Sequence, residues 1–246
     1  MHDAVYHQYA EVLPGHWWVE HRRALVATWL KQFCVEPDGR REVLEIGSGV
    51  GTEHEFLQRY GRVTGVEVSE VGLGYCRQRG YHELLAGDLN RIELPKERFD
   101  LAVDFHVLYH QWIEEPRSVL RALHRSLRRG GHLVLTEPAF ARLRRAHDDA
   151  VMAERRFGQA QLRSLVEGAG FRIGRLSGFL ALPLPAVVLS KWRDQMWPER
   201  KYVTELERPS PFADALIRVA LRAERGLLRV VPLPVGTCWA LIAEKP

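Results

Sequence analysis

The chain has 246 residues, 46% of them hydrophobic and 27% charged, a composition typical of a globular protein. Its formal net charge is +4, but no basic face interleaved with aromatics and no known binding module is visible, which argues against a nucleic-acid partner. The polar N-terminus lacks a signal-peptide pattern, and no apolar run is long enough for stable membrane insertion. Three widely spaced cysteines without a CxxC pair indicate a cytoplasmic protein with reduced thiols and no metal site.

The first two thirds of the chain alternate between strand and helix patterns. Helical spacing over Val19–Phe33 ends before a Pro-Asp-Gly turn, and later helices are predicted from Glu53, with Thr52 as its cap, from Ser69-Glu70, and over Pro116–Arg129. Short apolar runs predict strands at Glu42–Ile46, Val63–Val68, Tyr81–Leu85, Phe99–Phe105 and His132–Thr136. This alternation is typical of an α/β protein with a doubly wound, mostly parallel sheet.

The C-terminal third has a different pattern. A helix at Gln159–Glu167 and a strand at Phe171–Gly178 precede a proline-punctuated, largely helical stretch, in which Phe212–Val230 is amphipathic. A final apolar strand is predicted at Thr237–Glu244. The run Phe179–Leu189 is apolar but broken by two prolines, so a core or lid segment is favoured over a membrane-surface patch.

The stretch VLEIGSGVGT places three glycines directly after the first predicted strand. Gly47 suits a tight turn, and Gly49 lets a ligand approach the main chain without meeting a Cβ. The spacing is GxGxG, and Thr52 stands where a dinucleotide fingerprint would have its third glycine. Glu45 lies just before the turn, where a carboxylate suits a cation better than a pyrophosphate, so the pattern disfavours NAD.

Two further acids follow the next predicted strands. Glu67 ends the second strand about twenty residues after the first glycine, a position from which a carboxylate reaches ribose hydroxyls. Asp88 follows the third strand and is suited to accept a hydrogen bond from an exocyclic amine such as that of adenine. Acids at the ends of three successive strands beside a glycine turn are an uncommon combination.

Together with VTGVEVSE, AGDLNRIELPKERFDLAVDFHVLYH and LRRGGHLVLTEP, this stretch resembles the class I S-adenosylmethionine (SAM)-dependent methyltransferases. The resemblance covers roughly Glu42–Pro138, and VGTCWALIAEKP looks like the family's last, antiparallel strand. HWWVEHRR and PAFARLRRAHDDA are similar to segments of a small-molecule subgroup. The resemblance implies a seven-stranded Rossmann-like sheet in a single domain over 1–246. We predict that this domain consists of an N-terminal cap at 1–35, a SAM-binding core at 36–180, a helical insertion at 181–235 forming a substrate lid, and a final strand at 236–246.

The resemblance also implies roles for individual residues in binding SAM. Glu45, Gly47, Ser48 and Gly49 would hold its methionine end, and Phe105 would line the pocket near the sulfonium. Glu67 would bind the ribose, with Val68, Asp88 and Leu89 around the adenine. Relatives often carry acids where His106 and Tyr109 stand here, whereas His110 matches, so the family's catalytic roles do not transfer directly to this chain.

Candidate catalytic groups follow the fourth strand. His106 and His110 would share one face if FHVLYH continued into a helix; both are candidate bases, and Tyr109 could orient a substrate. His147 is a further candidate base, and with Tyr9, Trp18 and Arg145 it is assigned to the substrate pocket. A purely structural role remains an alternative for each of these side chains. Arg22, Arg145 and Arg156 could each meet a carboxylate, but a solvated face is expected for at least two of them.

The sequence therefore predicts a SAM-dependent methyltransferase acting on a small, partly apolar metabolite, with transfer to oxygen favoured over nitrogen or carbon. A catalytically inactive SAM-binding regulatory or scaffold protein is the first alternative, and a nucleotide-dependent oxidoreductase is a weaker one. The sequence leaves the methyl acceptor and the oligomeric state open.

Overall fold

The computed structural model describes residues 3–144, 148, 151–185, 188–189, 192, 196 and 209–246. Within them lies one seven-stranded sheet with strand order β3-β2-β1-β4-β5-β7-β6. Its strands are β1 Arg41–Ile46, β2 Gly61–Glu67, β3 Glu83–Ala86, β4 Phe99–Phe105, β5 Leu127–Pro138, β6 Arg172–Phe179 and β7 Cys238–Glu244. β7 runs antiparallel between β5 and β6, whereas β1 to β5 pair in parallel. The predicted α/β sheet with a late antiparallel strand is confirmed.

Helices cover both faces of the sheet. They are α1 Asp3–Val12, α2 Trp17–Gln32, α3 His54–Leu57, α4 Glu70–Arg79, α5 Pro116–Ser126, α6 Gln159–Glu167 and α7 Pro211–Leu228, with a 3₁₀ turn at Ala141–Leu143. Ser69 caps α4, as predicted, by accepting a hydrogen bond from Gly72 N at 3.4 Å. Among the described residues, no helix combines the length and apolar character needed to cross a bilayer.

Alternate residues of the central strands enter two separate core layers. In β1, Leu44 and Ile46 pack with α5 and α6, whereas Val43 packs with α2 and α7. Strands buried on both faces are typical of parallel sheets covered by helices. Because the parallel strands share a direction, the carboxyl ends of β1, β2 and β4 meet at one edge, and the candidate site lies there.

Two predicted boundaries were wrong. Thr52 does not cap α3: the N-cap residue is Glu53, which makes no side-chain capping bond, and the buried Thr52 Oγ1 has no hydrogen-bond partner among the described residues. The helix predicted over Pro116–Arg129 ends at Ser126, because Leu127 is extended and pairs with Phe99 in the sheet. Pairing across the sheet overrides the helical spacing of the arginine-rich stretch.

Candidate active site

The glycine turn after β1 provides backbone that is open to a ligand. Gly47 and Gly49 have φ of +61° and +56°, values that residues other than glycine rarely adopt. A Cβ on Gly47 would lie 2.5 Å from Val107 Cγ2, whereas a Cβ on Gly49 would meet only Gly47 O at 3.9 Å. A glycine at position 47 is therefore needed for Val107 to pack against the turn, whereas the space beside Gly49 is free for a bound group.

Glu67 ties this turn to the end of β2. Its Oε1 accepts hydrogen bonds from Val68 N and Ser69 N, both at 2.9 Å, and from the Tyr6 hydroxyl at 3.1 Å. Its Oε2 accepts from Gly49 N at 2.7 Å. Since a carboxylate oxygen can accept two hydrogen bonds, Oε2 retains capacity for a ligand hydroxyl.

A smaller cavity of about 340 Å³ lies beside Glu67. Besides Gly47 and Gly49, its lining brings together four residues predicted to bind the cofactor, Glu67, Val68, Asp88 and Leu89, and it also includes Trp112. Asp88 Oδ1 is held by the backbone and side-chain amides of Asn90, at 2.9 and 2.6 Å. This volume lies within the range of small-molecule sites.

A larger cavity of about 490 Å³ adjoins the smaller one at the glycine turn. Gly47, Gly49, His106 and His110 border both cavities. The wall of the larger cavity is aromatic, and it includes the predicted residues Tyr9, Trp18, Phe105 and Tyr109 together with Trp17. The two spaces therefore form one cleft, with a polar, acid-lined end and an aromatic end.

Glu45 is a buried carboxyl in the larger cavity, with 3% of its surface exposed. The Tyr81 hydroxyl donates a hydrogen bond to it, and Ser48 Oγ donates to its carbonyl oxygen at 3.4 Å. Burial raises the pKa of Glu45 to about 8. The group is therefore mostly protonated at neutral pH, and a cation arriving beside it would favour its ionised form.

Arg22, from α2, reaches into the aromatic end of the cleft. Its guanidinium lies 4.4 Å from the ring centre of Trp18 and 4.7 Å from that of Phe105. Nη2 donates to Glu53 at 2.6 Å, while Nε is buried without a partner among the described residues. Stacking on two rings and pairing with one acid fix this cation in the wall of the larger cavity.

The third contact of Arg22 sets the state of His106. Arg22 Nη1 lies 3.3 Å from His106 Nδ1, and Thr136 Oγ1 lies 3.1 Å from the same nitrogen. Because a guanidinium only donates, Nδ1 must accept, and the proton of a neutral His106 sits on Nε2, 3.5 Å from Cys238 Sγ. The backbone of His106, directly after the end of β4, has φ of +66°, a left-handed conformation uncommon for residues other than glycine.

His110 and Tyr109 lie on a turn, so FHVLYH does not continue into a helix and the condition for His106 and His110 to share one helix face is not met. His110 N donates to Val107 O at 3.1 Å, and the His110 ring stacks between Tyr109 and Trp112, with ring centres 4.1 and 4.6 Å away. Burial lowers the pKa of His110 to about 4, and its Nδ1 has no hydrogen-bond partner in the described part of the chain. Burial also raises the pKa of Tyr109 well above its usual range.

Two buried acids below this turn were missed by the sequence analysis. Asp104 Oδ1 accepts from Val107 N at 3.0 Å, and Glu137 Oε1 accepts from Val107 N and Leu108 N at 3.1 and 2.8 Å. Neither acid is exposed, and burial raises the pKa of Asp104 to about 7 and that of Glu137 well above its usual range. The sequence did contain a signal for them, because Asp104 and Glu137 are acids within the apolar runs FDLAVDF and LVLTEP.

The arginine assignments need correction. Arg22 is buried and Arg156 is partly buried, and both are paired with a carboxylate, so the expectation that at least two of the three arginines lie on a solvated face was wrong. Arg156 holds Asp148 through Nε and Nη2, at 2.9 and 3.0 Å, in the wall of the larger cavity. Arg145 and His147, assigned to the substrate pocket, lie outside the described residues.

Comparison with known proteins identifies the class of the central region. Residues 44–135 match a family model described as a methyltransferase domain. The ubiquinone biosynthesis O-methyltransferase of Pseudomonas aeruginosa strain UCBPP-PA14 is 33% identical over 104 residues, which cover 39% of this chain and 44% of that protein. The matching region thus spans less than half the length of this curated relative.

Solved structures resemble the whole chain. Phosphoethanolamine N-methyltransferase 2 of Haemonchus contortus, solved with S-adenosylhomocysteine, aligns with a TM-score of 0.62 and 19% identity over 99% of this chain and 57% of that one. The [4+2]-cyclase SpnF aligns with a TM-score of 0.56 and 21% identity over 91% and 80%. At these identities the likeness concerns the fold, and that fold carries more than one reaction.

Proposed function

We propose that this chain, a member of the class I SAM-dependent methyltransferases, transfers a methyl group from SAM to an oxygen of a small, partly apolar metabolite. The observation that carries the proposal is the single cleft in which an open glycine turn and the Glu67 carboxylate adjoin an aromatic-walled cavity. One end has the polar groups that a nucleoside needs, and the other has room for an acceptor.

The smaller cavity would hold the nucleoside part of SAM. Glu67 Oε2 would accept from a ribose hydroxyl, and Asp88 with Leu89 would lie at the adenine edge, with Val68 against its face. Gly47, Ser48 and Gly49 would leave room for the methionine part beside Glu45. When bound, the cofactor supplies an electrophilic methyl group on its sulfonium, and Phe105 would border that position.

The larger cavity would receive the acceptor. Tyr9, Trp18 and Phe105 offer aromatic surface, and the charges of Arg22 and Arg156 are each matched by a carboxylate. A mostly apolar acceptor with one polar group suits such a wall better than a highly charged one, because the paired arginines offer little net charge.

Among the candidate bases, His110 is the better supported. An alcohol or phenol must lose its proton as the methyl group is transferred, and His110 is unprotonated at neutral pH with Nδ1 free to accept. His106 Nδ1 already accepts from Arg22, so we assign His106 and Tyr109 to positioning the acceptor. This assignment favours oxygen as the methyl-accepting atom.

The test is methyl transfer from SAM carrying a ¹³C-methyl group to matched phenol, carboxylic acid and amine acceptors, read by the NMR chemical shift of the product methyl. We expect O-methyl products, and N-methyl products alone would overturn the choice of oxygen. Calorimetric binding of SAM without consumption on any acceptor would instead favour a non-catalytic SAM-binding protein.

A further inference from the structure

The solvent-facing side of α7 is apolar. Phe212, Leu216, Val219 and Leu227 are 82%, 62%, 60% and 49% exposed, and their spacing of three, four or eight residues places them on one face of the helix. We call these four residues the α7 stripe. The opposite face is buried through Leu221 and Leu228, so the stripe points away from the core.

Exposed apolar side chains concentrate in the same region of the chain. Within the described residues, every exposed large hydrophobic side chain except Val68 belongs to residues 182–235. Outside α7 they include Leu189, Trp192 and Met196, which are 68%, 67% and 61% exposed. A concentration of this kind marks an interaction surface, because monomeric proteins rarely expose many large apolar groups together.

A row of arginines runs along one edge of the stripe. Arg218, Arg222, Arg225 and Arg229 follow one another at intervals of three and four residues. The two acids of the helix do not balance this row on the outer face: Asp214 pairs with Arg218 at 2.6 Å, and Glu224 is buried. Arg222 and Arg229 are exposed and have no ion pair within the described part of the chain.

We propose that the α7 stripe and its arginine row dock this protein onto an anionic lipid bilayer surface. Apolar side chains on one helix face, flanked by arginines whose long stems reach the headgroups, match a helix lying in the plane of a membrane interface. The charge pattern selects this occupant: a second copy of the chain would bring another unbalanced arginine row to the contact, whereas anionic headgroups neutralise it.

The docking helix is joined to the cleft. Glu224, on the buried side of α7, accepts hydrogen bonds from Leu180 N, Ala181 N and Leu182 N at 2.6, 2.9 and 3.0 Å. Leu180 and Pro183 line the larger cavity, so the bilayer would lie close to the acceptor end of the cleft. Resting on the proposed methyl transfer, this arrangement points to an acceptor that partitions into lipid through an apolar part.

The experiment is co-sedimentation of the full chain with vesicles of phosphatidylcholine alone or mixed with phosphatidylglycerol. We expect binding to the anionic vesicles at least about tenfold stronger than to the neutral ones, and weaker binding at higher ionic strength. The double variants Arg222→Glu/Arg229→Glu and Leu216→Ser/Val219→Ser should each lose at least about tenfold of that binding. The control Arg121→Glu/Arg129→Glu, an equal charge change at exposed positions in α5 and β5, should not.

Three results would overturn the docking proposal: no binding to either vesicle, binding unaffected by both double variants, or a concentration-dependent dimer that Leu216→Ser/Val219→Ser abolishes. Calorimetry with S-adenosylhomocysteine, which should be unchanged, verifies that each variant is folded. Vesicle binding without methyl transfer would refute the proposed function and leave the docking surface intact. Methyl transfer without vesicle binding would refute the docking surface and leave the proposed function intact.

Discussion

Arg22 Nη1 and His106 Nδ1 lie 3.3 Å apart, which fixes the proton of a neutral His106 on Nε2. Arg22→Met removes this donor, and His106 can then rotate or change tautomer beside the methyl-transfer position. We expect kcat to fall by about 10–100-fold, the size of a lost hydrogen bond to a charged group. The measurement is steady-state kinetics with the best acceptor found.

Arg23→Met is the matched control for Arg22. Arg23 Nε also donates to Glu53, at 2.8 Å, but Arg23 makes no contact with His106. Arg23→Met removes this pair together with the contacts of Arg23 to Thr52 O and Glu20, and should therefore cost stability and little kcat. Equal falls in kcat for the two variants would show that Arg22 acts through Glu53 and not through His106.

Glu67→Gln should weaken the binding of S-adenosylhomocysteine. The amide keeps the shape of the side chain but points an NH₂ group at backbone donors that the carboxylate now accepts. We expect Kd, measured by calorimetry, to rise by about 10–100-fold, since hydrogen bonds to charged groups contribute about 1.5–3 kcal/mol. The control is Glu70→Gln, because Glu70 is three residues further along the chain and its side chain is exposed. This variant should bind S-adenosylhomocysteine like the wild type.

Gly47 and Gly49 should respond differently to substitution by alanine. Gly47→Ala places a Cβ 2.5 Å from Val107 Cγ2 and should lower the free energy of unfolding by more than the roughly 1–2 kcal/mol of left-handed strain alone. Gly49→Ala meets no such obstacle, so its loss of stability should be near that strain, while its Cβ takes space that the cofactor needs. Urea unfolding and calorimetry separate the two effects. Equal loss of stability would contradict the assignment of Gly47 to packing.

His110→Asn tests the proton acceptor. We expect transfer to a phenol or alcohol to slow by about 10²-fold or more, because the group that accepts the proton is gone. Transfer to a carboxylate acceptor of similar shape should change little, since that acceptor is already ionised at neutral pH. A uniform decrease with both acceptors would assign His110 to packing between Tyr109 and Trp112.

Asp104 and Glu137 should make the protein less stable as pH rises. A carboxyl whose pKa is higher in the folded than in the unfolded chain contributes stability below the unfolded pKa, near 4, and loses it as pH rises through the folded pKa. Burial raises the pKa of Asp104 in the folded chain to about 7. Asp104→Asn removes one of the two titrations, so its free energy of unfolding should decline less between about pH 4 and about pH 7. Glu55→Gln, an exposed control, should decline like the wild type.

The sequence was sufficient to predict that Glu67 and Asp88 come together beside the glycine turn. Glycines after β1 and acids after β2 and β3 are local signals, and parallel strands bring their carboxyl ends together. Glu67 and Asp88 therefore reach one cavity although neither is adjacent to the turn in the chain. For the same reason the alternation of strands and helices was enough to predict the sheet.

The acceptor end depended on contacts that local patterns do not contain. Arg22, on α2, pairs with Glu53, 31 positions along the chain, and stacks on Phe105 at the end of β4. Its spacing from Val19 and Val26 places Arg22 on the buried face of α2, and that signal went unused because an arginine cluster usually lies in solvent. Whether FHVLYH continues into a helix could not be decided from the sequence, because two buried acids hold the amides of the turn after β4 and such support is visible only in three dimensions.

The register of the sheet pairs Phe179, at the end of β6, with Cys238, at the start of β7. Residues 180–237 are thus topologically the loop of a hairpin, however long that loop is, and its two ends are held side by side by the sheet. Exchanging this loop for another need not change a pairing among the strands, provided that the new loop covers the core where Leu221 and Leu228 now pack. Because Leu180 and Pro183 of this loop line the cavity proposed for the acceptor, we expect a chimaera carrying another protein's loop to keep its affinity for S-adenosylhomocysteine and to accept different substrates.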